Sequence, residues 1–301
     1  MNLVNPKVTV YMSAYNHEAY VEQAILSIVN QTYQDFELLV IDDGSSDRTP
    51  EILKRLSREH GFYYERQENM GLVRTLNKIT PMARGEYLTG CASDDFWPST
   101  RLEDQVAALD ANPDSALVHG IPAIVDDSGT ITTDARYQLE HMLDGADAFR
   151  DMVWRRKKFQ TTTVMIRLSV CRELGGYDET IAVEDIDWML RVTQKYPVKA
   201  VGKIWSYYRK HGENWTMTQE GAKKLVRSES QVASKLGFPA GLIFRFSGLP
   251  IWFLIARRSK LPSRYAYLFL LPFYFWNKLF LSNFVRVIFG ERTVNRIKRV
   301  A

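Results

Sequence analysis

Strand-like and helix-like segments alternate four times within about the first 95 residues, and few folds accommodate that rhythm. Residues 7–13 alternate and are rich in β-branched side chains. Residues 36–41 form an apolar run broken only by Glu37, and residues 62–66 and 85–89 read as further strands. Between them, residues 18–30, 49–59 and 71–82 read as helices, the first with Tyr20, Val21, Ala24, Ile25, Ile28 and Val29 on one face. A strand apolar on both sides belongs in a sheet covered on both faces. The expectation is therefore an α/β fold with a Rossmann-like, doubly wound, mostly parallel sheet. Right-handed crossovers would set the loops at Ser13, Asp43, Asn69 and Asp94 along one edge, where open sheets of this kind bind ligands.

Beyond Asn112 the alternation weakens. Residues 116–120 and 121–125 read as two strands, 146–154 as a helix and 161–166 as a strand. Residues 184–196 read as an amphipathic helix, 204–208 as a strand and 223–236 as a helix. A chain of 301 residues holds one large domain with an appendage, or two domains. Its only cysteines, Cys91 and Cys171, exclude a disulfide framework and a paired-cysteine zinc site, and fit a reducing compartment. The short polar start, residues 1–7, is not read as a signal peptide.

Four loop clusters carry candidate chemistry. In Cys91-Ala92-Ser93-Asp94-Asp95-Phe96-Trp97, two adjacent carboxylates follow a strand, and Pro98 stops it before a helix that starts near Arg101. Two such charges repel, and a divalent cation with oxygen ligands, Mg²⁺ or Mn²⁺, resolves the repulsion. In Ser13-Ala14-Tyr15-Asn16, the tyrosine ring can lie against a base. In Asp42-Asp43-Gly44-Ser45-Ser46-Asp47, a carboxylate can accept from a base N–H while Gly44 permits the tight turn. Asn69-Met70-Gly71 opens a helix. Taken singly, each cluster also reads as an ordinary turn or helix entry.

In this order and spacing, together with Ser27-Ile28-Val29-Asn30-Gln31-Thr32-Tyr33, Glu184-Asp185-Ile186-Asp187-Trp188 and Tyr208-Arg209-Lys210-His211-Gly212, they resemble the family 2 glycosyltransferases over residues 7–215. The resemblance implies the GT-A fold, a nucleotide-diphosphate sugar donor, inversion at the anomeric carbon, and Mn or Mg as divalent cofactor. It implies that Ser13 and Tyr15 hold uracil or another base, and that Asp43, with Asp42 beside it, binds the base edge. It places Asn69 on the donor side, Asp94 at the ribose or sugar, Asp95 on the metal, and His211 near the diphosphate or metal. Asp185 matches the catalytic base, with Glu184, Asp187 and Trp188 on the acceptor side. The family's Asp-x-Asp is read here as Ser93-Asp94-Asp95, which lacks the first carboxylate. The assignment is chemically consistent, because an inverting transfer needs one base for the acceptor hydroxyl and no separate nucleophile. A plainer reading of Glu184, Asp185 and Asp187 is favourable charge in a helix's first turn.

Charge divides the chain. Residues 241–301 hold eleven Arg or Lys and one acidic residue, Glu291, whereas the remainder holds 28 basic and 34 acidic residues. The expected organisation is a nucleotide-sugar glycosyltransferase domain over 1–215, a connecting helix over 216–240, and a basic, aromatic, amphipathic helical tail over 241–301. Pro250, Pro262 and Pro272 interrupt the tail, and the apolar run 265–276 is too short to cross ~30 Å of hydrocarbon. Aromatics interleaved with cations fit helices lying on an anionic membrane surface. The alternatives are a packed subdomain or an oligomer interface, and nucleic acid is not the expected partner. The whole reads as a hexosyltransferase of polysaccharide biosynthesis, peripheral on the cytoplasmic face of the plasma membrane. It would carry a sugar from a nucleotide-diphosphate donor, UDP-linked in the leading reading, to a hydroxyl of a saccharide or lipid-linked saccharide. A nucleotidyltransferase would want a glycine-rich loop after strand one, which Ser13-Ala14-Tyr15-Asn16-His17 lacks. A catalytically inactive sugar-binding scaffold would have no use for Asp43, Asp95 and Asp185 together.

Overall fold

The computed structural model describes residues 5–133, 141–212 and 219–241, with 243, 244 and 247. The chain divides into two compact units, residues 1–214 and 215–301. The first opens with β1 (Val8–Ala14), α1 (Val21–Val29), β2 (Phe36–Asp42), α2 (Thr49–His60), β3 (Tyr63–Arg66), α3 (Leu72–Met82), β4 (Tyr87–Gly90) and α4 (Arg101–Asp110). It continues through β5 (Leu117–Val125), β6 (Ile131–Thr133), α5 (Ala148–Val153), a 3-10 turn (Thr161–Thr163), β7 (Met165–Arg167), α6 (Leu168–Leu174), α7 (Glu184–Lys195) and β8 (Val198–Arg209). In the second unit, α8 spans Gln219–Lys235.

The sheet runs β3-β2-β1-β4-β7-β5-β6, with β8 also pairing with β5. The pairs β1–β2, β1–β4, β2–β3 and β5–β8 are parallel, whereas β7 runs antiparallel to β4 and β5. Alternate residues of one strand serve opposite layers. Leu38 and Val40 of β2 join Val8, Val10 and Met12 of β1 in a core with Val21, Ala24, Ile25 and Ile28 of α1. Leu39 and Ile41 point the other way, against Ile79 of α3. Each fully buried Val or Ile contributes about 1.5–3 kcal/mol. The result is the mostly parallel, doubly wound α/β sheet that the alternation implies, and it brings the ends of β1, β2 and β4 to one edge.

The second half differs from expectation in detail. The two segments read as strands, 116–120 and 121–125, are one strand, Leu117–Val125. Gly120 is a packing position rather than a break, since a Cβ there would lie 2.6 Å from the Trp205 ring. Residues 161–166 divide into the 3-10 turn and the start of β7. The Thr163 hydroxyl bonds Gly120 on both backbone atoms and donates to the Gln160 carbonyl, 2.7 Å away, which curls the chain. β8 is longer than residues 204–208, and α6 and β6 were not anticipated. Residues 242, 245, 246 and 248–301 lie outside the described residues, and with them nearly all of the expected tail. Among the described residues no helix is long and apolar enough to cross a membrane.

Candidate active site

The carboxyl ends of β1, β2 and β4 open on a cleft of about 390 Å³ whose walls include Ser13, Tyr15, Asp43, Asn69, Asp94 and Glu184. Tyr15 is 48% exposed, an unusual position for a large ring unless something stacks on it. A larger hollow of about 850 Å³ lies at the opposite edge, by Phe36 at the start of β2. The charged pair on its wall is already spent, since Arg84 clasps Glu37 through Nε at 2.8 Å and Nη2 at 2.6 Å.

In the turn after β4, the Asp94 carboxylate faces two histidines. Its Oδ2 lies 3.1 Å from His211 Nε2 and 4.0 Å from His17 Nε2. One ligand atom from each of the three lies within 4.8 Å of the others. His17 follows β1 and His211 follows β8, so the fold gathers three distant loops. The His17 Nδ1 sits 2.7 Å from Ser93 Oγ. With Nδ1 donating there, Nε2 keeps its lone pair for a metal, the usual second-layer arrangement of a ligating histidine. The His211 ring is buried against Tyr20, centroids 5.0 Å apart. Two imidazoles and a carboxylate form a donor set that fits Mn²⁺ better than Mg²⁺, which favours oxygen alone.

Asp95, expected on the metal, is turned beneath this cluster's strand end. Its Oδ1 accepts the Arg209 backbone N–H at 2.9 Å, and its Oδ2 has no hydrogen-bond partner among the described residues. Burial, and then the Asp94 charge, hold the Asp95 carboxyl well above the usual carboxylate range. The geometry moves the expected ligand one residue upstream, to Asp94, because the two neighbours face opposite ways. Arg209 braces the turn, with Nε donating to the Asp94 carbonyl at 2.9 Å and Nη2 to Gln23 Oε1 at 2.6 Å.

The turn after β2 divides its pair as well. Asp43 faces the cleft wall and latches the loop ahead of α3. Its Oδ1 accepts from Gln67 Nε2 at 2.8 Å and from the Met70 N–H at 2.9 Å, and its Oδ2 from the Gly71 N–H at 2.9 Å. Gly44 has φ +79°, and a Cβ there would meet Asn69 N at 2.6 Å, so glycine is required twice over. Asp42, expected beside it on the donor, is fully buried. It accepts from Ser45 N–H and hydroxyl, and from Arg66 Nε at 3.2 Å.

At the start of α7, Glu184 forms part of the cleft wall. Burial, and then the neighbouring Asp185 charge, push its carboxyl up to about 8. Asp185 Oδ2 accepts from Thr161 Oγ1 at 3.4 Å, and Thr161 and Thr162 also line the cleft. Asp187 and Trp188, expected on the acceptor side, face elsewhere. Asp187 pairs with Arg191 at 2.9 Å, and Trp188 is buried against Tyr177, centroids 5.7 Å apart. One helical turn cannot aim four successive side chains at one ligand.

Two contributors carried little sequence signal. His17 is a single histidine in a loop, far along the chain from His211. Arg101 is fully buried, and burial lowers its guanidinium to about 9. It donates to the Thr162 carbonyl at 2.8 Å, the Trp205 carbonyl at 2.9 Å and Thr89 Oγ1 at 3.0 Å. With Gln105, which donates to the Thr163 carbonyl at 2.9 Å, it seats the 3-10 turn that reaches Asp185.

Comparison with known proteins agrees with this fold. The family model described as Glycosyl transferase family 2 matches residues 9–175. An uncharacterized glycosyltransferase of Haemophilus influenzae is 34% identical over 148 residues, 46% of this chain and 58% of the relative. The chain thus spans less than two thirds of the first curated relatives it matches. The putative glycosyltransferase EpsE of Bacillus subtilis is 28% identical over 270 residues, 87% of each chain. Among solved structures, S. aureus TarS in complex with UDP-GlcNAc superimposes with a TM-score of 0.61 at 17% identity, over 95% of this chain and 92% of that one. The mannosyltransferase PcManGT of Pyrobaculum calidifontis, in complex with GDP-Man and Mn²⁺, gives 0.59 at 16% identity, over 99% and 88%. At these identities the likeness is one of fold, and that fold is GT-A.

Proposed function

Because the chain belongs to glycosyl transferase family 2, we propose that it moves a hexose, with inversion, from a nucleotide-diphosphate sugar to a hydroxyl of a saccharide acceptor. The observation that carries the reading is the meeting of His17, Asp94 and His211 beside a cleft walled by Tyr15, Asp43 and Glu184. Tyr15 stacks on the base, with uracil the leading candidate, and Ser13 and Asn69 border it. Asp94, His17 and His211 would hold the divalent ion, Mn²⁺ ahead of Mg²⁺. When bound, that ion offsets the charge of the departing diphosphate. Asp185 takes the acceptor's proton as the acceptor oxygen bonds to the anomeric carbon. The bond from that carbon to the diphosphate breaks, and the electron pair leaves with the nucleotide. Glu184, holding its own proton at neutral pH, leaves Asp185 as the charged member of the pair.

The acceptor is read as lipid-linked, and the basic tail as what holds the enzyme on anionic membrane at the inner face of the plasma membrane. Composition alone supports that part, and an oligomer interface is its competitor. Truncation after Gly237 should release the protein from anionic vesicles while sparing donor hydrolysis. A full-length chain that ignores such vesicles overturns the membrane reading. The reaction itself is tested with a panel of nucleotide sugars, each assayed for metal-dependent hydrolysis and transfer. Asp185→Asn should lower transfer by roughly 10²–10⁴-fold with donor affinity retained. A mutant that loses donor affinity but transfers normally at saturation makes Asp185 a binding residue.

A further inference from the structure

The segment that leads into the 3-10 turn is Trp154-Arg155-Arg156-Lys157-Lys158, four cations in succession beside an aromatic ring. Over residues 147–158 there are five basic and two acidic residues, in a part of the chain that is otherwise acidic. The loop is built rather than trailing. The Arg155 N–H donates to the Met152 carbonyl at 3.0 Å, the Arg156 N–H to the Asp151 carbonyl at 2.8 Å, and the Lys158 N–H to the His141 carbonyl at 2.9 Å. Asp151, one of the two local carboxylates, is occupied by Lys157 at 3.5 Å, and Asp147, the other, by Arg150 at 2.8 Å. Among the described residues no carboxylate lies within ion-pairing distance of Arg156. Its guanidinium lies over the ring of Trp154, 5.2 Å from the centroid, and both side chains are exposed.

Position gives the loop its meaning. Arg156 stands five residues before Thr161 and Trp154 seven, and extended chains of those lengths cover at most about 18 Å and about 25 Å. Thr161 lines the cleft and donates to Asp185, the residue read above as the acceptor's base. An exposed cation on an aromatic shelf, on the segment that runs into the Thr161 turn beside that base, suits an extended ligand with two faces. A planar guanidinium matches phosphate oxygens by paired N–H donation, and an exposed indole offers an apolar face to a sugar ring's C–H edge.

We propose that loop 154–158 is an acceptor subsite for a phosphate-bearing saccharide, a sugar joined to its carrier through a phosphate ester, with Arg156 on the phosphate and Trp154 beside the sugar. The proposal takes from the transfer reading only the word acceptor, because the binding it describes is measurable without catalysis. Phosphate attached to a lipid and phosphate in a soluble glycosyl ester present the same oxygens to Arg156, so a soluble probe isolates the shared chemistry.

The probes are the methyl ester of glucose 1-phosphate and, as its neutral match, methyl glucoside. Binding to the full-length chain is followed by saturation-transfer NMR and titration, with excess chelator to disable metal-dependent diphosphate binding. The phosphate probe should bind about tenfold more tightly or better than the neutral one, the value of one charge-assisted contact. Arg156→Glu should remove that advantage, and Arg156→Lys should keep it within about threefold, since charge survives while the fork is lost. Trp154→Ala should weaken both probes alike. Donor hydrolysis should be unchanged in all three variants. Equal binding of the two probes by the native chain, or an unaltered preference in Arg156→Glu, overturns the proposal. So does an Arg156→Glu chain that loses binding to vesicles of 30% phosphatidylglycerol yet keeps the native preference between the soluble probes, which makes the loop a lipid contact. If the probes behave as expected while no nucleotide sugar is hydrolysed, the subsite stands and the transfer reading fails.

Discussion

The carboxyl ends of β2 and β4 each lead to two adjacent aspartates, and in each pair one side chain lines the cleft while the other braces the fold. At β2 both are buried: Asp42 closes the turn with Ser45 and Arg66, while Asp43 reaches the cleft wall and holds the loop of Met70 and Gly71. After β4 the order reverses. Asp94 meets His17 and His211, while Asp95 lies under the Arg209 backbone. Adjacent side chains leave the backbone in different directions, and the path of each turn decides which member reaches the cleft. The difference teaches that an acidic pair at a strand end need not act as a unit: here one carboxylate of each pair lines the cleft and the other holds the backbone.

The largest effect should separate the members of the second pair. Asp94→Ala removes the carboxylate that joins the two histidines, and metal-dependent donor turnover should fall by about 10²-fold or more, consistent with loss of a directly charged group in the site. Asp95→Asn keeps an oxygen for the Arg209 N–H and resembles the protonated form that burial already favours. Its turnover should stay within about tenfold of the native enzyme, a smaller loss because no ligand to the metal is removed. Metal titration followed by donor hydrolysis checks both, and the opposite ranking returns the ligand role to Asp95.

The first pair should separate by observable rather than by size. Asp42→Ala strands the Ser45 N–H and hydroxyl inside the fold, a cost of about 1–3 kcal/mol that a denaturant melt reads directly. Asp43→Ala instead frees Gln67, Met70 and Gly71, so the donor KM should rise by roughly tenfold while stability falls less. A donor KM that responds equally to both substitutions dissolves the distinction.

Much of this architecture was legible in the residues. The alternation up to residue 95 implies the doubly wound, mostly parallel sheet, and the loops at Ser13, Asp43, Asn69 and Asp94 do meet at one cleft. What the sequence withheld was orientation and distance. Asp94 and Asp95 are indistinguishable until the turn is built, and nothing local tells that Asp187 faces Arg191 instead of the cleft. His17 and His211 meet only because β1 and β8 end near one another in space. Gly120 reads as a strand break because glycine usually is one, and only the Trp205 ring pressed on it shows a packing need.

A smaller effect sharpens the role of Ser93, the residue ahead of the second pair. Its hydroxyl sits 2.7 Å from His17 Nδ1 and fixes which nitrogen faces Asp94. Outer partners of this kind are worth about 10–100-fold in metal affinity. Ser93→Ala should therefore weaken Mn²⁺ binding toward the lower end of that range, with kcat at saturating metal nearly unchanged. An unaltered titration leaves Asp94 and His211 holding the ion without help from His17.

The smallest effect concerns Glu184 and Asp185, a third acidic pair that divides by protonation instead of direction. Glu184 titrates at about 8 against an ordinary 4.5 because its charged form is buried beside Asp185. The folded chain therefore holds a proton that the unfolded chain releases near 4.5. The stability this group contributes is complete below that pH and is lost as pH rises toward 8. Activity follows the same limb. Above pH 8 a second negative charge appears in the wall of a cleft that must accept a diphosphate, and donor affinity should fall by about three- to tenfold. Glu184→Gln keeps a neutral side chain of the same shape at every pH. It should flatten the stability profile between about pH 4.5 and 8 and the donor KM profile around pH 8, while leaving turnover at pH 7 close to native. If the alkaline limb persists in Glu184→Gln, the titrating group is Asp185 or a metal ligand, and the proton assigned to Glu184 belongs elsewhere.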